Sequence, residues 1–312
     1  MATVRRDFFL DPTDRLTEQE RALMSAMLAD LLGTLSEQIT AAVGSRTNVS
    51  ESGRINAALM ASGLLDRAGL VSLMLRRADE HRIAATFAAH GGPRKLPLLS
   101  RLVGDDDPAV AAAAMALVVS RGRRRDGFGQ PRIELSDLDS ADVAALVHSL
   151  AAALSPSGNV EAQYAAAADQ VAAAVRFEES LDNAVATLAD ALVRHERDQE
   201  RLIEDSSGEG EAALVAHLIA RRAAISPQAA WDHLLDAGEG GLALLARMAG
   251  LGRRAAARLI ADFGSTIGTA SVEDEMARFD TLDEGEVAVA LAHWQLPRNF
   301  RIARSMLGYA SG

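Results

Sequence analysis

Apolar residues recur along this chain at steps of three and four and almost nowhere at steps of two, and the breaks between runs are glycines, prolines and capping residues. That rhythm predicts helices throughout. Thr17-Glu18-Gln19-Glu20 has the form of a capping box, in which the threonine hydroxyl accepts from the third helical amide and the glutamate reaches back to the cap amide. The helix it opens carries Leu23, Met27, Leu28, Leu31, Leu32, Leu35 and Ile39 on one stripe, is polar opposite, and should end near Gly44. From Ser50 to Gly122 the segments are shorter, with breaks near Gly63, at Gly91-Gly92-Pro93 and near Gly104. The clearest unit there is Leu96 to Arg121, where Asp107 is placed to cap a helix and Pro108 takes its first position, at which a missing N–H costs nothing.

The stretch Arg121 to Asp139 holds three glycines, a proline and the cluster Arg121, Arg123, Arg124 and Arg125, and reads as a linker. It divides the chain into a helical domain over 1–122, a Gly/Arg-rich linker over 123–139 and a second helical domain over 140–312. Ser140 to Leu154 forms a helix closed by Ser155-Pro156-Ser157-Gly158. Residues 159–207 then contain neither Gly nor Pro. Leu181, Val185, Leu188 and Leu192 continue through His195 and Gln199 to Leu202 in alternating steps of four and three, a heptad-like stripe within a long segment near 159–205. Periodicity leaves open whether this is one helix or a hairpin. Such a seam needs a partner inside the chain or across a dimer axis, so a homodimer through Leu181, Val185, Leu188, Leu192 and Leu202 is one expectation. Ser206-Ser207-Gly208-Glu209-Gly210 reads as a flexible connector, and short helices follow from Glu211 onward. The fold expected is all-α: stacked helical hairpins, as a HEAT-like solenoid or a helical bundle, in two subdomains.

Two resemblances bear on that expectation. Leu96 to Arg121, a helix, an acidic Asp-Pro turn and a small-residue helix, resembles one HEAT repeat, with Ala111 where such repeats usually carry an arginine. A repeat of that kind cannot bury its apolar face alone, which implies neighbours of the same type. The opening RRDFFLDPTDRLTEQERALM and the central RHERDQERLIEDSSGEGEAALVAHLIARR resemble an alphaproteobacterial family known as a conserved domain of unknown function with HEAT-like helices. The resemblance implies a bacterial cytosolic setting and carries no active-site residue.

Composition narrows the chemistry. Hydrophobic residues make up 49% and aromatics 4%, so the core must come from Leu, Val, Ile and Met, with helices approaching closely over Ala. With no Cys, thiolate nucleophiles, thiolate metal sites and disulfides are excluded. No apolar run resembles a secretory signal or a membrane span, which places the chain in the cytoplasm. The net charge of −11 is uneven: 17 basic and 15 acidic residues stand through Asp126, against 15 and 28 after it. The second part should repel phosphate backbones at long range, making nucleic acid a disfavoured partner.

The candidate sites are few. Leu245 to Ser265 resembles a helix-hairpin-helix, in which Gly250-Leu251-Gly252 would present backbone amides to a phosphate and Arg253, Arg254 and Arg258 would add charge. The alternative is an ordinary tight turn between packed helices. His195-Glu196 resembles the phosphoacceptor of histidine phosphotransfer proteins, yet the heptad count puts His195 on the inner stripe. The other histidines, His81, His90, His148, His217, His233 and His293, stand at no metal-ligand spacing, and no nucleophile elbow, phosphate loop or dinucleotide fingerprint occurs. No catalytic residue, cofactor or metal is expected. The function expected is a non-enzymatic scaffold or regulator that binds another protein, with a DNA-binding module at 245–265 as the first alternative and a phosphotransfer protein as the second.

Overall fold

A computed structural model of the chain describes residues 17–44, 52–90, 96–155, 160–194, 198–235, 240–267 and 271–308, and among them the regular elements are helices. In chain order these are α1 (Glu18–Val43), α2 (Ser52–Ala61), α3 (Ala68–His90), α4 (Leu98–Val103), α5 (Pro108–Arg123), α6 (Ser140–Leu154), α7 (Glu161–Ala173) and α8 (Leu181–Arg194). They continue as α9 (Gln199–Gly208), α10 (Ala212–Ala223), α11 (Pro227–Leu234), α12 (Gly241–Met248), α13 (Arg253–Ile267), α14 (Val272–Thr281), α15 (Glu284–Trp294) and α16 (Arg298–Met306). The protein is all-α.

Local signals set the ends. The Thr17 hydroxyl accepts from the Glu20 amide at 3.2 Å while the Glu20 carboxylate accepts from the Thr17 amide at 2.8 Å, and Gly44 closes α1 in the left-handed region. Asp107 caps α5 by accepting from Ala109 N–H at 2.8 Å, directly before Pro108. Asp139 caps α6 through the Asp142 amide at 2.7 Å.

The chain packs as two units that interleave in sequence: residues 1–81 with 119–183, and residues 82–118 with 184–312. This partition differs from the expected 1–122 and 140–312. In the first unit α6 and α7 pack on one another and on α1, and α2 lies on α6. Met27, Leu31, Leu35 and Ile39 of α1 meet Leu146, Val147 and Leu150 of α6 and Ala168 of α7 in one core, and the alanines of α7 let its backbone approach α1 closely.

The expected linker is firmly anchored in that unit. Asp137, only 1% exposed, accepts from Arg124 Nε and Nη2 at 2.8 Å each, from Leu181 N–H at 2.9 Å and from Glu134 N–H at 3.1 Å. Arg124 donates further to Ser120 Oγ at 2.8 Å, Ser136 Oγ at 3.1 Å and the Glu179 carbonyl at 3.2 Å. Buried Arg77 approaches Asp137 at 4.0 Å and pairs with Glu80 and Asp182. Burial alone would push the Asp137 carboxyl up; the Arg124 hydrogen bonds, the charges of Arg77 and Arg124 and the Leu181 amide outweigh it and hold the group below the usual carboxylate range. Ile133 and Leu138 add apolar anchors to the same core. Residues 123–139 are therefore structural, and the arginine cluster of the expected linker supplies the central cation of a buried network.

In the second unit, α9 to α14 each pack on the next, α9 also lies against α13, and α12 meets α14 and α15. Their centre is α10, buried at every residue from Ala212 to Ala220, as a helix apolar nearly all round requires. The expected connector at 206–210 is fixed here: Ser206 and Ser207 are fully buried, and Ser207 Oγ donates to Asp262 at 2.9 Å. Gly210 sits at φ +70° with Phe87 so close that a Cβ would fall 2.7 Å from its ring, which fixes glycine at that corner.

Candidate protein interaction site

Two of the residue groups singled out from sequence are committed to partners within the chain. The long segment at 159–205 is resolved into α7, α8 and α9 rather than one helix, and Leu181, Val185, Leu188 and Leu192 are buried inside the chain on α8. On α9 the stripe slips by one: Ile203 is the fully buried apolar residue and Leu202 is half-buried. The seam is therefore satisfied internally and presents no face to a second copy. His195 and Glu196 lie outside the described residues.

The turn at Gly250-Leu251-Gly252 forms as anticipated, with Gly250 in the left-handed region at φ +59°. Its amide, however, already faces an anion. Gly252 N–H donates to Glu200 Oε1 at 3.1 Å, and Arg222 Nη2 bonds the same carboxylate at 3.0 Å and the Gly250 carbonyl at 2.9 Å. Arg253 pairs with Asp280 at 3.0 Å, Arg254 with Glu204 at 3.5 Å and Arg258 with Asp262 at 2.7 Å. A phosphate would have to displace Glu200 and compete with a carboxylate for each arginine, which disfavours the phosphate contact expected of Gly250, Gly252, Arg253 and Arg254. Fluorescence anisotropy with labelled duplex DNA at low salt should show no binding at micromolar protein. Salt-dependent binding whose log–log slope falls by about two units in the double variant Arg253→Ala, Arg254→Ala would contradict this.

The feature that sequence reading passed over is the outer face of α5. Val110, Ala113, Ala114, Leu117 and Ser120 point inward and are buried. The opposite half of the cylinder carries Ala109, Ala112, Met115, Ala116, Val118 and Val119 and is exposed. Met115 is 48% exposed, Val118 41% and Val119 54%, and between Pro108 and Arg121 that face holds no charged or hydrogen-bonding side chain. Its outward positions 108, 112, 115, 119 and 122 follow steps of four and three, the seam spacing of paired helices, and its alanines permit close approach. Acidic Asp106 stands exposed before its first turn and Arg123 at its last. The signal was present in the sequence, since VAAAAMALVV is apolar on every side, but such a helix is ordinarily taken to be buried on every side.

A concavity lies in the first unit, a groove of about 820 Å³ between α1, α7 and residues 132–136. Leu31, Leu35, Ile133 and Val171 line its apolar part. Its rim is tied by ion pairs, Arg132 to Asp30 at 2.7 Å and Glu179 to both Arg123 at 3.1 Å and Arg176 at 3.2 Å. The carboxylates there already hold arginines, so the groove offers shape and apolar area rather than a free charge.

Among the described residues no group of His, Asp and Glu is arranged to hold a metal ion, and no helix is long and apolar enough to cross a membrane. Comparison with models of known protein families, with curated proteins and with solved structures gives no match.

Proposed function

We infer that the chain is a protein–protein interaction module, a non-enzymatic scaffold or regulator, and that the outer face of α5 is where it holds its partner. The observation that carries this reading is the uninterrupted exposed apolar face at Met115, Val118 and Val119, since contiguous apolar patches on soluble proteins mark interaction sites. The occupant is a helix that packs along α5 with small residues at the closest approach, and a second copy of this chain is one such helix. The reading takes with it the sequence resemblance of 5–24 and 194–222 to the alphaproteobacterial family, stacked helical hairpins as the plan of the α9–α14 series, and a cytoplasmic setting.

A photo-crosslinking residue introduced at Ala112, with a control at exposed Ala57 on α2, tests the assignment. A discrete adduct from position 112 that disappears in Val119→Glu supports it. Equal adducts from both positions, or an adduct indifferent to Val119→Glu, would remove α5 as the binding face.

A further inference from the structure

We propose that the groove of the first unit is a small-molecule site that takes an uncharged, chain-like amphiphile, a fatty acyl amide or ester. Its lining runs along α1 from Asp30 to Ala42, roughly 18 Å of helix at about 1.5 Å per residue, with α7 and residues 132–136 as the other walls. At about 820 Å³ it lies within the range of about 300–1,000 Å³ usual for small-ligand clefts, and its length suits a chain better than a compact ring. The walls are set before any ligand arrives. Arg132 holds Asp30 at 2.7 Å and so ties residues 132–136 to α1, while Glu134 of the same segment pairs with buried Arg124 at 2.9 Å. A cleft fixed in this way loses little conformational freedom on binding.

The lining decides the charge of the ligand. Three arginines and three carboxylates stand around the groove, and each is already paired: Arg132 with Asp30, Glu134 with Arg124, and Glu179 with both Arg123 at 3.1 Å and Arg176 at 3.2 Å. The lining charges sum to zero. A charged head group would have to break one of these pairs or lie in the cleft without a counterion, and an uncharged head group meets neither cost. Leu135, Val171 and Val175 are half-buried along the walls, over buried Leu31, Leu35 and Ile133, and give a hydrocarbon chain its contact. The polar groups that stay open are uncharged as well. Thr34 and Gln38 of α1 and Gln170 of α7 line the groove, and among the described residues their side chains have no hydrogen-bond partner. A hydroxyl and two amides donate and accept, which matches the carbonyl of an amide or ester. An apolar cleft with a few polar groups that orient the ligand is the ordinary composition of such sites.

The test uses the full chain and Nile red, an uncharged dye that brightens in apolar surroundings, displaced by three probes with the same alkyl chain: octanamide, octanoate and octylammonium. Octanamide should displace the dye at a concentration about ten-fold or more below that needed for either ion. Ala41→Trp fills the groove from an exposed position on α1 and should weaken octanamide about ten-fold or more. Gln38→Leu with Gln170→Leu, both exposed, should weaken it several-fold with the thermal midpoint in place, which keeps the test readable if the tryptophan variant fails to fold. Val119→Glu on α5 should leave the displacement unchanged, which separates this site from the protein-binding face proposed above. Displacement by octanoate or octylammonium as effective as by octanamide, displacement indifferent to Ala41→Trp in a chain with an unchanged midpoint, or none by octanamide up to its solubility limit would overturn the proposal.

Discussion

Asp137→Ala is expected to cost about 3–5 kcal/mol of folding stability, a large fraction of the about 5–15 kcal/mol that holds a domain folded, because it removes the carboxylate and leaves Arg124 and Arg77 buried. Asp137 accepts from four donor groups contributed by Arg124, Leu181 and Glu134, so the loss also frees two backbone amides. Urea unfolding followed by circular dichroism measures it. The pH dependence has a definite sign. Because the native carboxyl is held below its ordinary value, its contribution is complete above the unfolded pKa of about 4 and is lost as pH falls from there through the lower folded value. The wild-type chain should therefore lose stability between about pH 4 and the folded pKa more steeply than Asp137→Asn, which has no such proton to take up. A cost under about 1 kcal/mol would mean the network is solvated and 123–139 is the loose linker that its glycines and arginines suggest.

Leu188→Ala should cost about 2–5 kcal/mol, the range for deleting a fully buried leucine side chain and leaving a cavity. The discriminating readout is mass. If the Leu181, Val185, Leu188, Leu192 stripe were a dimer seam, the variant would change the association state measured by sedimentation and leave the monomer's unfolding midpoint near its original value. Burial inside the chain predicts the reverse: a lower midpoint and an unchanged mass.

Much of the helix grammar was legible before any coordinates. Thr17, Glu20, Gly44, Asp107 and Asp139 act locally, through hydrogen bonds to residues two to four positions away, and Pro108 through its fixed φ, and so their spacing alone places α1, α5 and α6. What failed to show were the pairings made at a distance. Arg124 reads as one more basic residue in RGRRRD until Asp137, Ser136 and Glu179 close around it. Gly252 reads as a phosphate-binding amide until Glu200, 52 positions away, accepts from it. The heptad count over 181–202 slipped because α8 ends at Arg194 and α9 starts afresh at its own cap, Asp198, with Ile203 rather than Leu202 as its core residue. The α5 face was hidden for a different reason. Periodicity detects a boundary between apolar and polar sides, and this helix has none, so nothing in its pattern distinguishes the half that packs from the half that stays open.

The affinity of the purified chain for the partner crosslinked at position 112, compared between wild type and Met115→Glu with Val119→Glu, tests the central claim most directly. Both side chains point outward, so the thermal midpoint should hold. Binding should fall by about 100-fold or more, since burying two carboxylates against an apolar helix costs ~3 kcal/mol or more at the centre of an interface. If the partner is a second copy, the same loss appears as conversion to monomer in sedimentation. Unchanged affinity in a variant with an unchanged midpoint would contradict the assignment of α5 as the interaction face.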